Sequence, residues 1–293
     1  MKIIDGKTIA AQVRAEVAER AAEVARARGF PPGLAVVLVG QNPASVSYVT
    51  AKERACAECG IRSFPERLPE ETSQAELLAL VARLAADSEV DGILVQLPLP
   101  KHIDATAVIA AIPPSKDVDG FHPASLGALV AGLPGFVPCT PAGIVELLMR
   151  AGHDPDGKDV VVVGRSNIVG KPVAALLSRK GRGGNATVTL CHTGTPNLAD
   201  HTRRADILIV AAGRPGTVGA GMVKDGAVVI DVGVNRIPDA TRKRGFRLAG
   251  DVDFDAVAPR CSAITPVPGG VGPMTIAMLM RNTVIAATGM RDY

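Results

Sequence analysis

Tyr48 and Lys52 stand four residues apart in a stretch that reads as a helix, so their side chains share one face. A lone lysine on a helix is ordinarily solvated surface. This one is set apart because its helix follows directly from the carboxyl end of a strand, where open α/β sheets bind ligands. It also faces the same way as one of only two tyrosines in the chain. An amine taken out of water loses its proton more easily and can transfer protons near neutrality. Gln96 lies near the end of the buried run Gly92-Ile93-Leu94-Val95-Gln96-Leu97, where an amide needs partners, either structural or a ligand. Lys116-Asp117-Val118-Asp119-Gly120 places two carboxylates in a glycine-bounded loop that on its own would pass as a turn.

A second chemistry is suggested by Asp159-Val160-Val161-Val162-Val163-Gly164-Arg165-Ser166-Asn167-Ile168-Val169-Gly170-Lys171-Pro172. A valine run stops at a glycine, passes a short polar loop and enters a helix, the layout that aims backbone N–H groups and a helix dipole at a phosphate. The usual Gly-x-Gly-x-x-Gly pattern is absent, because Ser166 takes its second glycine position. The loop alone therefore fits a nucleotide cradle and an ordinary strand-to-helix turn equally. The next strand ends at Leu190-Cys191-His192-Thr193 with no Asp or Glu to meet ribose hydroxyls. Arg165 would suit a 2′-phosphate, which leans the reading to NADP; otherwise Arg165 is a solvent-exposed loop residue. The stretch from Thr265 to Thr275 is an apolar, Gly/Pro-dense loop, and its bareness suggests that something approaches its backbone.

The elements that must position these residues alternate between strand and helix. Residues 7–28 have amphipathic helical spacing ended by Gly29, then comes a strand at 34–39. Asn42 and Pro43 start a helix that runs to about Cys59, and 76–86 is another. Residues 101–141 are rich in Pro and Gly and read as a crossing between domains. A helix at 140–150 leads to strands near 159–163, 186–190, 206–210 and 227–231, and a last helix covers about 273–287. The expectation is an α/β chain of two domains with mostly parallel sheets, the second Rossmann-like.

Composition narrows the class. In 293 residues, 47% are apolar but only 3% aromatic and Trp is absent, so Val, Leu, Ile and Ala fill the cores. A formal charge of +3 gives no reason to expect a nucleic-acid or membrane partner. No apolar run approaches the ~20 residues of a membrane span, and no signal-peptide core is present. Five scattered cysteines, with Cys56 and Cys59 read as packing residues of a helix, suggest a soluble protein of a reducing compartment and no metal site. Arg242-Lys243-Arg244 reads as a solvated loop.

Taken together, the motifs closely resemble the bifunctional methylenetetrahydrofolate dehydrogenase/methenyltetrahydrofolate cyclohydrolase family. The resemblance rests on Val39-Gly40-Gln41-Asn42-Pro43-Ala44-Ser45 with Tyr48 and Lys52, Gly92 to Pro100, Lys116 to Gly120, Gly164-Arg165-Ser166 with Gly170 and Pro172, and the loop from Pro268 to Thr275. It implies a folate-binding catalytic domain at 1–139 plus 273–293 and a Rossmann-like NADP-binding domain at 140–272, with a cleft between them. It implies oxidation of 5,10-methylenetetrahydrofolate with NADP and hydrolysis of the methenyl product to 10-formyltetrahydrofolate. These are steps of one-carbon metabolism that serve purine biosynthesis, run by a cytoplasmic homodimer joined through the cofactor domain. By the same resemblance Lys52 is the principal catalytic residue, Gln96 positions it, Tyr48 packs on the folate and Asp119 anchors the pterin. Gly164, Arg165, Ser166, Thr193 and Val234 correspond to cofactor contacts. Val95, Leu97, Pro268, Gly269, Gly270, Val271, Gly272, Pro273, Thr275 and Ile276 border the folate.

Departures are few. Thr193 stands where many relatives have Ser, Asp91 where His is common, with no effect expected, and 181–184 looks like a harmless insertion. Two other readings are weighed: a shikimate-type NADP dehydrogenase, and a non-catalytic folate- or nucleotide-binding module. The Lys52/Gln96 pair argues against the second, since a pure binder needs no proton-transfer residue.

Overall fold

The computed structural model describes residues 1–242 and 245–289. Lys243 and Arg244 of the basic stretch, and 290–293 at the end of the expected folate-binding domain, lie outside the described residues. The chain forms two compact units: Met1–Ala10 with Thr140–Thr275, and Ala11–Cys139 with the segment from Ile276 onward.

The elements run β1 (Lys2–Ile3), α1 (Gly6–Arg28), β2 (Gly33–Val39), α2 (Pro43–Glu58), β3 (Arg62–Leu68), α3 (Gln74–Ala86) and β4 (Gly92–Val95). Then follow α4 (Ala105–Ala111), α5 (Pro123–Ala131), α6 (Cys139–Arg150), β5 (Asp159–Val163), α7 (Gly170–Ser178), β6 (Thr187–Cys191), α8 (Leu198–Thr202) and β7 (Ile207–Val210). The remainder is β8 (Val228–Asp231), β9 (Asn235–Pro238), β10 (Phe246–Ala249), α9 (Phe254–Val257), β11 (Ala263–Ile264) and α10 (Val271–Thr288).

The unit of 11–139 carries a parallel sheet in the order β3-β2-β4. All seven residues of β2 are buried, as its unbroken Gly33-to-Val39 apolar run requires for a central strand. Leu77, Val81 and Leu84 of α3 and Val108 of α4 close over Ala35, Val37, Ile93 and Val95. Edge strand β3 was not foreseen: it alternates exposed and half-buried residues and contains Pro65, which an edge tolerates. Helix α3 starts earlier than expected because Ser73 and Glu76 form a reciprocal capping box. The stretch 101–141 is no mere crossing. It folds into α4, capped by Asp104, and α5, which ends at Gly132 with φ 68°.

Asp91 has an unexpected task. Its carboxylate accepts from both Arg28 Nη atoms at 2.7 and 2.6 Å and from Gly33 N at 2.7 Å, tying the end of α1 to β2 and β4. Arg28 also donates to the Phe30 and Pro31 carbonyls, so the pair is fully occupied.

The other unit holds a six-stranded sheet in the order β1-β11-β8-β7-β5-β6, parallel throughout. Strands 159–163, 187–191, 207–210 and 228–231 fall within a residue of their expected places. The first ten residues, expected in the folate-binding domain, belong here instead, because Lys2 and Ile3 pair with Ala263 and Ile264. Strands β9 and β10 form an antiparallel ladder of their own. Among the described residues no helix is long and apolar enough to cross a membrane, and no cluster of three or more His, Cys, Asp or Glu is arranged to hold a metal.

Candidate active site

Asn42 places Lys52. Its side chain accepts from Ala44 N at 2.9 Å and Ser45 N at 3.3 Å, fixing where α2 leaves the carboxyl end of β2. Two and a half turns on, Lys52 is 7% exposed, while Tyr48, one turn earlier, is 40% exposed. The Lys52 Nζ donates to Gln96 Oε1 at 2.9 Å, and Gln96 Nε2 donates to the Leu97 carbonyl at 2.7 Å. Gln96 stands one residue beyond β4, yet its backbone N still donates to Val37 O at 2.8 Å. Val95 is buried and Leu97 half-buried.

Burial pushes the Lys52 ammonium below the ordinary lysine range, and the Asp119 charge opposes that shift. Asp119 is the mirror case: burial raises its carboxyl, and Lys52 pulls it back. Desolvation thus favours the neutral form of both groups. Asp117, two residues away, is spent structurally. It accepts from Phe121 N at 3.2 Å, His122 N at 2.8 Å and Ser125 Oγ at 2.7 Å, and burial raises it to about 6. Asp119 differs from it: the groups that act on its carboxyl are the Lys52 charge and the Cys139 thiol. Gly120 turns the chain at φ 76° hard against Pro138, where any side chain would collide.

Sequence reasoning missed Cys139 and Asn282. The Cys139 thiol is buried and coupled to both Asp119 and Lys52, and burial holds it protonated far above the usual thiol range. Asn282 on α10 donates to the Val118 carbonyl at 2.8 Å and the Val137 carbonyl at 3.2 Å, bracing the loop that carries Asp119. A lone Cys and an Asn in an apolar helix gave no spacing signal. All five cysteines are free and buried, and Cys56 and Cys59 are raised to about 12 and about 11, as inert packing thiols should be.

In the six-stranded unit, Gly164 leaves β5 at φ 127° beside the Ala211 carbonyl, and Gly170 opens α7 against the Gly164 carbonyl. A Cβ at either would collide with backbone, so the loop is a cradle that only glycines permit. Ser166 Oγ accepts from Val169 N at 3.1 Å and Gly170 N at 3.3 Å, so it caps the first turn of α7 itself. Arg165 is exposed on this loop. Thr193 is exposed in the turn after β6, and Val234 is 45% exposed in the turn after β8. All stand at the carboxyl ends of parallel strands, where a dinucleotide would be held.

The Gly/Pro-dense loop has an internal explanation in part. The backbone that approaches Gly270 is that of Gly6, at the first turn of α1, and a Cβ on either would collide. Gly269 needs its φ of 111°, and Val271 is buried at the start of α10. Thr275 Oγ1 meets Thr140 Oγ1 at 2.9 Å. Gly272, Pro273 and Ile276 are half-buried, while Pro268 is exposed.

Comparison with known proteins completes the picture. Two family models match in tandem: tetrahydrofolate dehydrogenase/cyclohydrolase, catalytic domain, over residues 4–119, and tetrahydrofolate dehydrogenase/cyclohydrolase, NAD(P)-binding domain, over residues 138–291. A protein of Desulfovibrio desulfuricans, bifunctional protein FolD, is 57% identical over 284 residues, 97% of each chain. The crystal structure of Trypanosoma brucei N5,N10-methylenetetrahydrofolate dehydrogenase-cyclohydrolase, complexed with NADP cofactor and inhibitor, matches with a TM-score of 0.93 at 42% identity. It covers 98% of this chain and 97% of that one. Shikimate 5-dehydrogenase of Thermus thermophilus, in complex with NADP(H) and shikimate, matches at 18% identity and a TM-score of 0.54, over 89% of this chain and 95% of that one. That last likeness is one of fold alone.

Proposed function

This chain belongs to the tetrahydrofolate dehydrogenase/cyclohydrolase family, and from that premise we infer how its residues carry the two activities. The enzyme oxidises 5,10-methylenetetrahydrofolate to 5,10-methenyltetrahydrofolate with NADP, and hydrolyses the methenyl product to 10-formyltetrahydrofolate. The observation that carries the reading is the buried Lys52 amine on Gln96, beside Asp119.

Asp119 anchors the pterin, accepting from its exocyclic amine and the adjacent ring N–H together. Tyr48 lays its ring against the folate, with Val95 and Leu97 flanking Gln96 as the wall of the site. The segment Pro268, Gly269, Gly270, Val271, Gly272, Pro273, Thr275 and Ile276 supplies further folate contacts. Oxidation needs alignment and no strong base, since the folate nitrogens donate electrons as hydride leaves. NADP, when bound, supplies the hydride acceptor. Gly164, Arg165, Ser166, Thr193 and Val234 would hold it, with the Arg165 guanidinium on the 2′-phosphate; the glycine cradle fits such a group. Hydrolysis is different. Water attacking the methenyl carbon must lose a proton, and Lys52, kept neutral by desolvation and by a cationic substrate, accepts it. Gln96 fixes the amine's direction.

The unit rich in residues 11–139 acts as the folate-binding catalytic domain and the six-stranded unit as the NADP-binding domain. The protein works in the cytoplasm as a homodimer joined through the cofactor domain, supplying one-carbon units for purine biosynthesis, with no nucleic acid or membrane as partner. Buried, unpaired cysteines and a near-balanced charge support the compartment and the absence of polyanionic partners, and the family resemblance supports the dimer.

The test is a spectrophotometric assay of the purified chain with methylenetetrahydrofolate and either NADP or NAD. Methenyl-folate should form with NADP and then decay at an enzyme-dependent rate. Turnover of shikimate instead, or ligand binding with no turnover, would overturn the assignment.

A further inference from the structure

Two fully buried carboxylates at the carboxyl end of the six-stranded sheet have no part in the chemistry above. Asp231 ends β8 and is 2% exposed; Asp251 follows β10 and is 0% exposed. Asp231 Oδ1 accepts from Gly233 N at 3.0 Å and Asp251 N at 2.9 Å, and its Oδ2 accepts from Val252 N at 3.0 Å. Asp251 so held reaches further. Its Oδ2 accepts from Gly213 N at 2.7 Å, and its Oδ1 accepts from Asn235 Nδ2 at 2.8 Å. Asn235 Nδ2 also reaches the Ala249 carbonyl at 3.3 Å. Gly233 and Gly250 lie so close on the two carboxylates that a Cβ at either would collide with them.

The two anchored N–H groups belong to different turns. Gly213 follows β7, and Asn235 closes the turn Val232-Gly233-Val234 that follows β8. In the order β1-β11-β8-β7-β5-β6 the chain goes from β5 to β6 on one side and returns to β7 on the other, so the topological switch falls between β5 and β7. A dinucleotide lies across such a switch, one mononucleotide half on each side. Arg165 and Thr193 occupy the β5–β6 side, the side of the 2′-phosphate. The β7 and β8 turns then face the nicotinamide half.

Resting on the NADP reading, we propose that Asp251 is a positioning residue for the nicotinamide half of the cofactor site, setting both turns at once through Gly213 N and Asn235. The chemistry requires a carboxylate. Two donors converge on its two oxygens, and an amide would turn one acceptor into a donor and leave a buried N–H without a partner. Asp231 is the pedestal that fixes the Asp251 backbone. The turns carry few side chains of their own to hold them, so a buried acceptor from the far side of the β9–β10 ladder does so.

Titration calorimetry of wild type and Asp251→Asn, with NADP and with adenosine 2′,5′-bisphosphate, tests this. The fragment lacks nicotinamide and its ribose. NADP should bind about tenfold more weakly to the variant, a change of ~1.4 kcal/mol, with the fragment's affinity unchanged within twofold. In the free protein, amide exchange at Gly213 and Val234 should quicken. Equal weakening of both ligands would make Asp251 a general structural residue, and no weakening of either would leave it without a role; each outcome overturns the proposal. If Asp251→Asn does not fold, Asn235→Ala cuts one anchor only and is read in the same comparison. Failure of the wild type itself to bind NADP would overturn the cofactor reading rather than this role.

Discussion

The Lys52 amine donates to Gln96 Oε1 at 2.9 Å while the other end of the Gln96 amide is committed to the Leu97 carbonyl at 2.7 Å. That commitment settles which way the amide faces. Its oxygen must point at the lysine, and it offers the amine an acceptor without offering it a charge. A carboxylate at the same place would stabilise the ammonium and spoil the base. The amine is therefore oriented by a neutral group, while desolvation shifts it toward its neutral form.

Lys52→Met should remove cyclohydrolase activity, by about 10²- to 10⁴-fold, the usual contribution of a positioned acid or base. Its fold should be intact by circular dichroism, because methionine fills the same buried channel without a charge. Conversion of methenyl- to 10-formyl-folate at the wild-type rate would show that the proton goes elsewhere.

Arg165 is exposed on the glycine cradle and is the cation proposed for the 2′-phosphate. Arg165→Ala should raise the KM for NADP by about 10- to 100-fold, as loss of a charge-assisted phosphate contact would, and change that for NAD little. Steady-state kinetics with both cofactors decides it: parallel losses would mean that Arg165 does not read the phosphate.

Asp117 titrates at about 6 in the folded chain against 3.8 for its free carboxyl, chiefly through burial. A carboxyl whose folded value is raised binds its proton more tightly when folded, so its ionisation lowers stability as pH rises from about 4 to about 6. The stability of wild type relative to Asp117→Asn should thus fall by about 2 kcal/mol between pH 4.5 and 7.5, at about 1.4 kcal/mol per unit through the window. Urea unfolding of both proteins across that range measures the difference directly; a flat or rising difference contradicts the assignment.

Asp91→Ala should destabilise the folate-binding unit by roughly 2–3 kcal/mol, because it strands the largely buried Arg28 guanidinium and the Gly33 N–H together. Asp91→Asn should recover only part of this, keeping one acceptor. Thermal unfolding of the two variants orders them, and an unchanged midpoint for the alanine variant would show that the brace is ornamental.

Much of Lys52's setting was legible because it is local. Asn42 and Pro43 announce the start of α2, the apolar run of β2 announces a central strand, and four-residue spacing puts Tyr48 and Lys52 on one face. Other features were hidden because long-range contacts decide them. Asp117 and Asp119 look alike in sequence and differ only in which of them meets the Phe121 and His122 N–H groups. Edge strand β3 was hidden because Arg62, Pro65, Glu66 and Arg67 read as loop, and only pairing with β2 makes the segment a strand. Asp231 and Asp251 carry no motif, and their partnership exists only once the β9–β10 ladder folds back. Asp91 shows the same limit: its partner Arg28 lies sixty-three residues away.

The short pairing of Lys2 and Ile3 with Ala263 and Ile264 bears on biosynthesis. Lys2 and Ile3 have no partner on that side of their sheet until Ala263 and Ile264 have been translated. A chain that matures in the order of its synthesis must keep β1 waiting, and truncation before β11 deprives it of the strand it pairs with. Genetic dissection into two free-standing halves at residue 139 would therefore separate the opening strand from its own sheet, and each half would need a redesigned start.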